Sequence, residues 1–170
     1  MRITKTKSTL KKKLQIEVSD RTCNPPECII LDGCAILWII NWPTHGTVED
    51  YIKNFISYII ESLRKCDTYL IFDRYYEKSI KFITRNTRAG KDASRHHQLL
   101  LNTPLPPQKV ILTVTSNKIQ LIKLIVTYLE DHANILPQNG NNLVITGPEP
   151  TPVQICDLQV TLRHDLRTTH

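Results

Sequence analysis

Two apolar runs that each end in an aspartate constrain the fold of this chain more than any other feature: Cys28-Ile29-Ile30-Leu31-Asp32-Gly33 and Thr68-Tyr69-Leu70-Ile71-Phe72-Asp73. Both are continuously apolar instead of alternating, the pattern of a parallel strand buried on both faces. Between them, Tyr51, Ile52, Phe55, Ile56, Ile59, Ile60 and Leu63 recur at helical spacing, which predicts an amphipathic helix with a broad apolar face. Thr47 followed by Asp50 reads as a capping box with Asp in place of the usual Glu. Arg64 and Lys65 stand in the last turn, where the helix dipole favours cations. Strand, helix, strand in that order predicts a right-handed crossover and a parallel sheet. A carboxylate at the carboxyl end of such a strand stands where open α/β sheets place their ligands.

The remainder extends the pattern. Lys109 to Thr115 is predicted as a third strand with Val110, Leu112 and Val114 alternating, and Asn117 to Asp131 as a second amphipathic helix. Asn139-Gly140-Asn141-Asn142 is a turn into a fourth strand, Leu143-Val144-Ile145-Thr146, and the tail after Pro152 is strand-like through Val153, Ile155, Leu158 and Val160. Thr103-Pro104-Leu105-Pro106-Pro107 reads as an extended linker. Residues 1–27 read as a basic flexible arm, with Arg2, Lys5, Lys7 and Lys11-Lys12-Lys13 ahead of the first acid, Glu17. The expected organisation is that arm, then one α/β domain over 28–170 with a basic insertion at 74–97.

Composition narrows the class. A hydrophobic fraction of 41% excludes a wholly disordered protein. The longest apolar run, Cys28 to Trp42, is interrupted by Asp32 and Asn41 and is too short to span a bilayer. The five cysteines contain no C-x-x-C pair, and no secretory h-region precedes them, so reduced thiols and an intracellular setting, nuclear or cytoplasmic, are expected. Cys28 and Cys34 read as small buried hydrophobes. A zinc site from Cys23, Cys28 and the His96-His97 pair matches no usual spacing. There is no G-x-x-x-x-G-K-[ST] and no G-x-G-x-x-G, which argues against nucleotide binding.

The net charge of +6 becomes informative once it is located. Residues 1–73 carry ten Lys/Arg against nine Asp/Glu, and residues 98–170 carry five against five. The 24 residues between them carry Arg74, Lys78, Lys81, Arg85, Arg88, Lys91 and Arg95 against only Glu77 and Asp92. These cations recur every three or four positions, as on one helix face, with Tyr75, Tyr76 and Phe82 interleaved. Such focusing suits a polyanion-binding surface. The bland alternative is a solvated charged face.

Asp32 and Asp73 are the candidate catalytic and metal-binding acids. A hard divalent cation, Mg²⁺ or Mn²⁺, needs oxygen ligands and keeps several waters. A pair of such ions about 4 Å apart serves phosphodiester cleavage, but two aspartates alone cannot hold two ions. The competing reading is that each aspartate caps the segment that follows it.

These motifs resemble those of the PIN-like and flap-endonuclease superfamily of structure-specific nucleases, and more closely an uncharacterised PIN-like group from invertebrate genomes. The matching stretches are Leu31-Asp32-Gly33, Thr47-Val48-Glu49-Asp50-Tyr51, Phe72-Asp73-Arg74-Tyr75, Ser79-Ile80-Lys81, Thr84-Arg85-Asn86-Thr87-Arg88 and Thr103-Pro104-Leu105-Pro106. The resemblance implies a mostly parallel twisted sheet flanked by helices, with Asp32 and Asp73 as two metal-binding acids. It also implies that the basic insertion forms an arch over the substrate strand. Relatives continue past a segment like Arg163-His164-Asp165-Leu166 into an acidic cluster, so the resemblance implies a C-terminally incomplete domain here. The expected function is binding of single-stranded or junction nucleic acid, with a nuclease-type acidic site left incomplete, and self-association through uncovered apolar surface. No membrane partner is expected. A protein-interaction domain with a basic face and no nucleic-acid function is the alternative.

Overall fold

The computed structural model describes residues 26–74 and 96–166. In chain order the described elements are β1 (Cys28–Asp32), α1 (Gly33–Ile39), α2 (Val48–Leu63), β2 (Asp67–Ile71), α3 (Gln108–Thr113), α4 (Thr115–Asp131), β3 (Leu143–Thr146), β4 (Val153–Cys156) and β5 (Gln159–Leu162), with short 3-10 turns at Ala133–Ile135 and His164–Leu166. The class is α/β, as expected, built on one five-stranded sheet of order β1-β2-β3-β4-β5.

The sheet is mixed. β1, β2 and β3 pair in parallel, with Cys28 beside Asp67 and Thr68 beside Leu143 at the entry end. β4 and β5 then return antiparallel, so the expectation of a mostly parallel sheet holds only for the first three strands. A strand order that advances in one direction through right-handed crossovers places every connecting helix on the same face. The burial pattern agrees. Thr68, Leu70, Leu143, Ile145, Val153 and Ile155 face the helices and are buried, whereas Cys28, Ile30, Asp32 and Ile71 on the other face are exposed.

That topology corrects the reading of β1. Continuous apolarity predicts burial on both faces, yet among the described strands β1 is an edge, and Ile30 is 68% exposed. The apolar run also does not continue as strand: Gly33–Ile39 forms α1, which buries Cys34, Ile36 and Leu37. Cys34 is therefore the buried hydrophobe expected, and Cys28 is not. The segment read as a third strand is the helix α3. Alternation would have turned Ile111 outward, but Val110, Ile111 and Leu112 are all buried. A short apolar run carries no periodicity able to separate a buried helix from a strand.

α2 confirms its capping box, but it ends at Leu63, so Arg64 is its C-cap and Lys65 lies beyond its last turn. The Thr47 hydroxyl accepts from the Asp50 N–H, while the Asp50 carboxylate accepts from the Thr47 N–H at 2.8 Å, closing the capping box. The next free N–H groups, of Val48 and Glu49, donate to the carbonyls of Thr103 and Leu101. The segment expected as a plain linker is thus strapped across the helix N-terminus, satisfying donors that a helix cannot pair internally. α2 and α4 supply most of the core through Tyr51, Ile52, Phe55, Ile56, Ile59, Leu121, Ile122, Ile125 and Leu129. Buried Asn117 joins the strap to this layer, accepting from the His97 N–H and donating to the Val110 carbonyl.

Candidate functional site

The carboxyl ends of β1 and β2 are flush, with Asp32 paired in register with Ile71. Past Ile71 the chain stays beside β3, because the Phe72 N–H donates to the Thr146 hydroxyl at 3.1 Å and reaches the Thr146 carbonyl at 3.3 Å. Asp73 follows. Two residues at about 3.3 Å each set it roughly 6–7 Å further along the strand direction than Asp32. Both carboxylates are exposed and lie at the same end of adjacent parallel strands.

Just beyond the paired ends, Gly33 and Phe72 approach closely. A Cβ on Gly33 would lie 2.6 Å from two atoms of the Phe72 ring. That ring is buried and stacks on Phe55, with centroids 6.2 Å apart and planes 20° from parallel. Glycine after Asp32 is therefore what lets the end of β2 close down on the start of α1.

Asp32 has a structural duty. Its Oδ1 accepts from the Ala35 N–H at 3.0 Å and caps α1, the competing reading of strand-end aspartates. Other acids are engaged elsewhere. Glu49 pairs with Lys53 at 2.8 Å, Asp50 belongs to the capping box, and Asp165 holds Arg163 through two bonds. The Asp50 carboxyl is lowered below its usual range, first by the Thr47 backbone hydrogen bond and then by the Thr47 hydroxyl. Among the described residues no group of three or more His, Cys, Asp or Glu side chains converges in a way that could hold a metal ion. His96 Nδ1 lies 2.7 Å from the Ser116 hydroxyl.

Of the basic insertion, Lys78, Lys81, Arg85, Arg88, Lys91 and Arg95 lie outside the described residues, as does Cys23 and nearly all of the N-terminal arm. Arg74 is described. Its guanidinium donates to the carbonyls of Glu149 and Pro150, at 3.3 and 2.7 Å, and so holds the β3–β4 loop against the exit of β2. Sequence reasoning placed Arg74 on a cationic stripe and gave no sign of this contact, which joins residues 75 and 76 positions apart.

A groove that no motif announced opens on the helix face. Its volume is about 390 Å³, with Ile145, Val153 and Leu162 as the floor and Val126, Thr127 and Glu130 of α4 as one wall. Neither Asp32 nor Asp73 lines it. Lys123 and Glu149 pair across its rim at 2.9 Å, and burial, followed by the charge of Asp131, raises the Glu130 carboxyl above its usual range.

Among the described residues no helix is long and apolar enough to cross a membrane. Comparison of the chain with family models, with curated proteins and with solved structures yields no match.

Proposed function

We propose that this chain is a PIN-like domain, related to metal-dependent structure-specific nucleases, that binds single-stranded or junction nucleic acid and cleaves it weakly or not at all. The observation that carries the reading is the concentration of charge. Seven cations stand against two acids in residues 74–97, directly after Asp73, which shares one end of the sheet with Asp32. A strand drawn to such a cationic segment would be delivered to two exposed carboxylates.

The carboxylates fit one hard cation better than two. Asp32 and Asp73 would hold a single Mg²⁺ or Mn²⁺ with water completing the shell, while Asp32 also serves α1. Such an ion supplies charge stabilisation at a phosphodiester, and the loss of a second ion removes several kcal/mol of transition-state stabilisation, each ~1.4 kcal/mol being about tenfold in rate.

Two measurements test this. Anisotropy titration of a labelled single strand should show affinity falling with salt at a slope of about −0.7 per neutralised phosphate. Replacing Arg85, Arg88 and Arg95 together by Ala should lower both affinity and slope. Unchanged binding in that variant would leave the stripe a solvated face, and no binding at low salt would favour the protein-interaction alternative. For the acids, Asp32→Asn separates the two duties of the residue, because Asn caps a helix as well as Asp does while losing the charge a cation needs. It should keep the melting temperature and weaken Mn²⁺ binding measured by electron paramagnetic resonance. Asp32→Ala should cost about 1 kcal/mol in addition. Equal Mn²⁺ binding by parent and Asp32→Asn would reduce Asp32 to a cap.

A further inference from the structure

The C-terminal hairpin projects past the helical layer. On the helix-facing side of the sheet, one row of paired residues runs Ile145, Val153, Leu162 and the next runs Leu143, Ile155, Val160. In each row the first two side chains are buried, yet Val160 is 41% and Leu162 56% exposed. Leu162 lines the groove between α4 and the hairpin, and both residues stand on a strand that is the sheet edge among the described strands.

We propose that β5 is a homodimer interface, and that two copies of this chain pair antiparallel through it to form a continuous ten-stranded sheet. The register follows from the hydrogen-bond alternation. The Arg163 N–H donates to the Pro152 carbonyl at 2.9 Å, so the odd-numbered residues of β5 point their backbone groups at β4. The N–H and C=O of Val160 and Leu162 therefore point away from β4, along the edge of the described sheet.

An axis through Thr161 sets Val160 of each copy against Leu162 of the other, in hydrogen-bonded pairs and with both side chains on the groove side. It sets Thr161 against Thr161 in a non-hydrogen-bonded pair, and Gln159 against Arg163, so no like charges are opposed. Arg163 is already neutralised by Asp165. Moving the axis to Val160 would require Leu158 to pair, and its φ of 70° is not that of a strand. Moving it to Leu162 would draw in His164 of the 3-10 turn. β5 carries no lysine, proline or bulge, the devices that keep edge strands apart. The other edge, β1, offers one exposed apolar side chain, Ile30, between Cys28 and Asp32. This inference is independent of the nucleic-acid reading.

Sedimentation of the whole chain up to about 0.5 mM tests it, since an interface this small is expected to be weak. The dimer fraction should rise with concentration. Leu162→Lys should weaken association at least about tenfold, the effect of burying a charge against an apolar partner. Thr161→Glu, exposed and outside the core, should act in the same direction by placing two carboxylates across the axis, and it serves should Leu162→Lys lose its fold by circular dichroism. Ile30→Lys should leave the dimer intact. Thr161→Cys should form an inter-chain disulfide under mild oxidation, in excess over the parent chain treated in parallel, because a non-hydrogen-bonded pair sets Cα atoms about 4.5 Å apart. A monomer throughout the range, dissociation by Ile30→Lys but not by the β5 variants, or no excess disulfide would overturn the proposal.

Discussion

Gly33→Ala should destabilise this protein, although Ala is the better helix former and Gly33 opens α1. The added methyl would sit 2.6 Å from the Cδ1 and Cε1 atoms of Phe72, and ordinary contact begins at 3.4 Å, so the ring must retreat by about 0.8 Å. Phe72 has little room to do so, being 2% exposed and stacked on Phe55, which is fully buried. Overpacking of a tight site costs about 1–3 kcal/mol. Against this stands a helix-propensity gain of at most about 1 kcal/mol, less at the first helical position than in the interior. The net expectation is a loss of about 1–2 kcal/mol, which for a domain of this size lowers the melting temperature by roughly 2–8 °C. Differential scanning calorimetry would measure it. Phe72→Leu supplies the cycle: alone it costs stability by leaving space, but in its presence Gly33→Ala should recover most of its cost, giving a coupling of about 1–2 kcal/mol. Gly147→Ala is the control, since its Cβ would meet only Val126, at an ordinary 3.6 Å, and should be neutral or slightly stabilising. A Gly33→Ala protein as stable as the parent, or costs that simply add with Phe72→Leu, would refute the steric account and leave the closure of the two strand ends unexplained.

Three further substitutions read the local chemistry. Thr47→Ala should cost about 1 kcal/mol by opening the capping box of α2. Because the Asp50 carboxyl is lowered in the folded protein, its contribution is present above its usual 3.8 and is lost as pH falls through the lower folded value. Asp50→Asn should therefore flatten the acid limb of the stability curve below about pH 4, measured by urea unfolding at stepped pH, and an unchanged limb would contradict the assignment. Leu158→Gly should stabilise the hairpin, because Asp157 and Leu158 hold φ of 43° and 70° and a side chain in that region costs about 1–2 kcal/mol. Allowing for the extra chain entropy of glycine, a gain of about 0.5 kcal/mol is expected, and a lower melting temperature would show that exposed Leu158 makes a contact of greater worth.

Much of the α/β frame is legible along the chain, for reasons that are local. The capping box of Thr47 and Asp50, the apolar face of α2 and the span of α4 each depend on residues three or four apart, as does the Asn-rich turn into β3. The alternation of Val153 and Ile155 likewise announces β4. Both aspartates reach the same end of the sheet because strands joined by a parallel crossover run in one direction. What the sequence could not decide depends on neighbours distant along the chain. Cys28–Asp32 is as apolar as a central strand, but burial belongs to position in the sheet, and only the order of the strands makes it an edge among those described. Residues 108–113 form a helix because their three consecutive apolar side chains find burial on every side, against elements on which their own spacing is silent. The contact of Gly33 with Phe72 and the hold of Arg74 on the β3–β4 loop likewise join segments tens of residues apart. Local pattern specifies the elements whose periodicity is long enough to read. The tertiary structure alone decides which of their faces stay in water, because that depends on what is left to cover them.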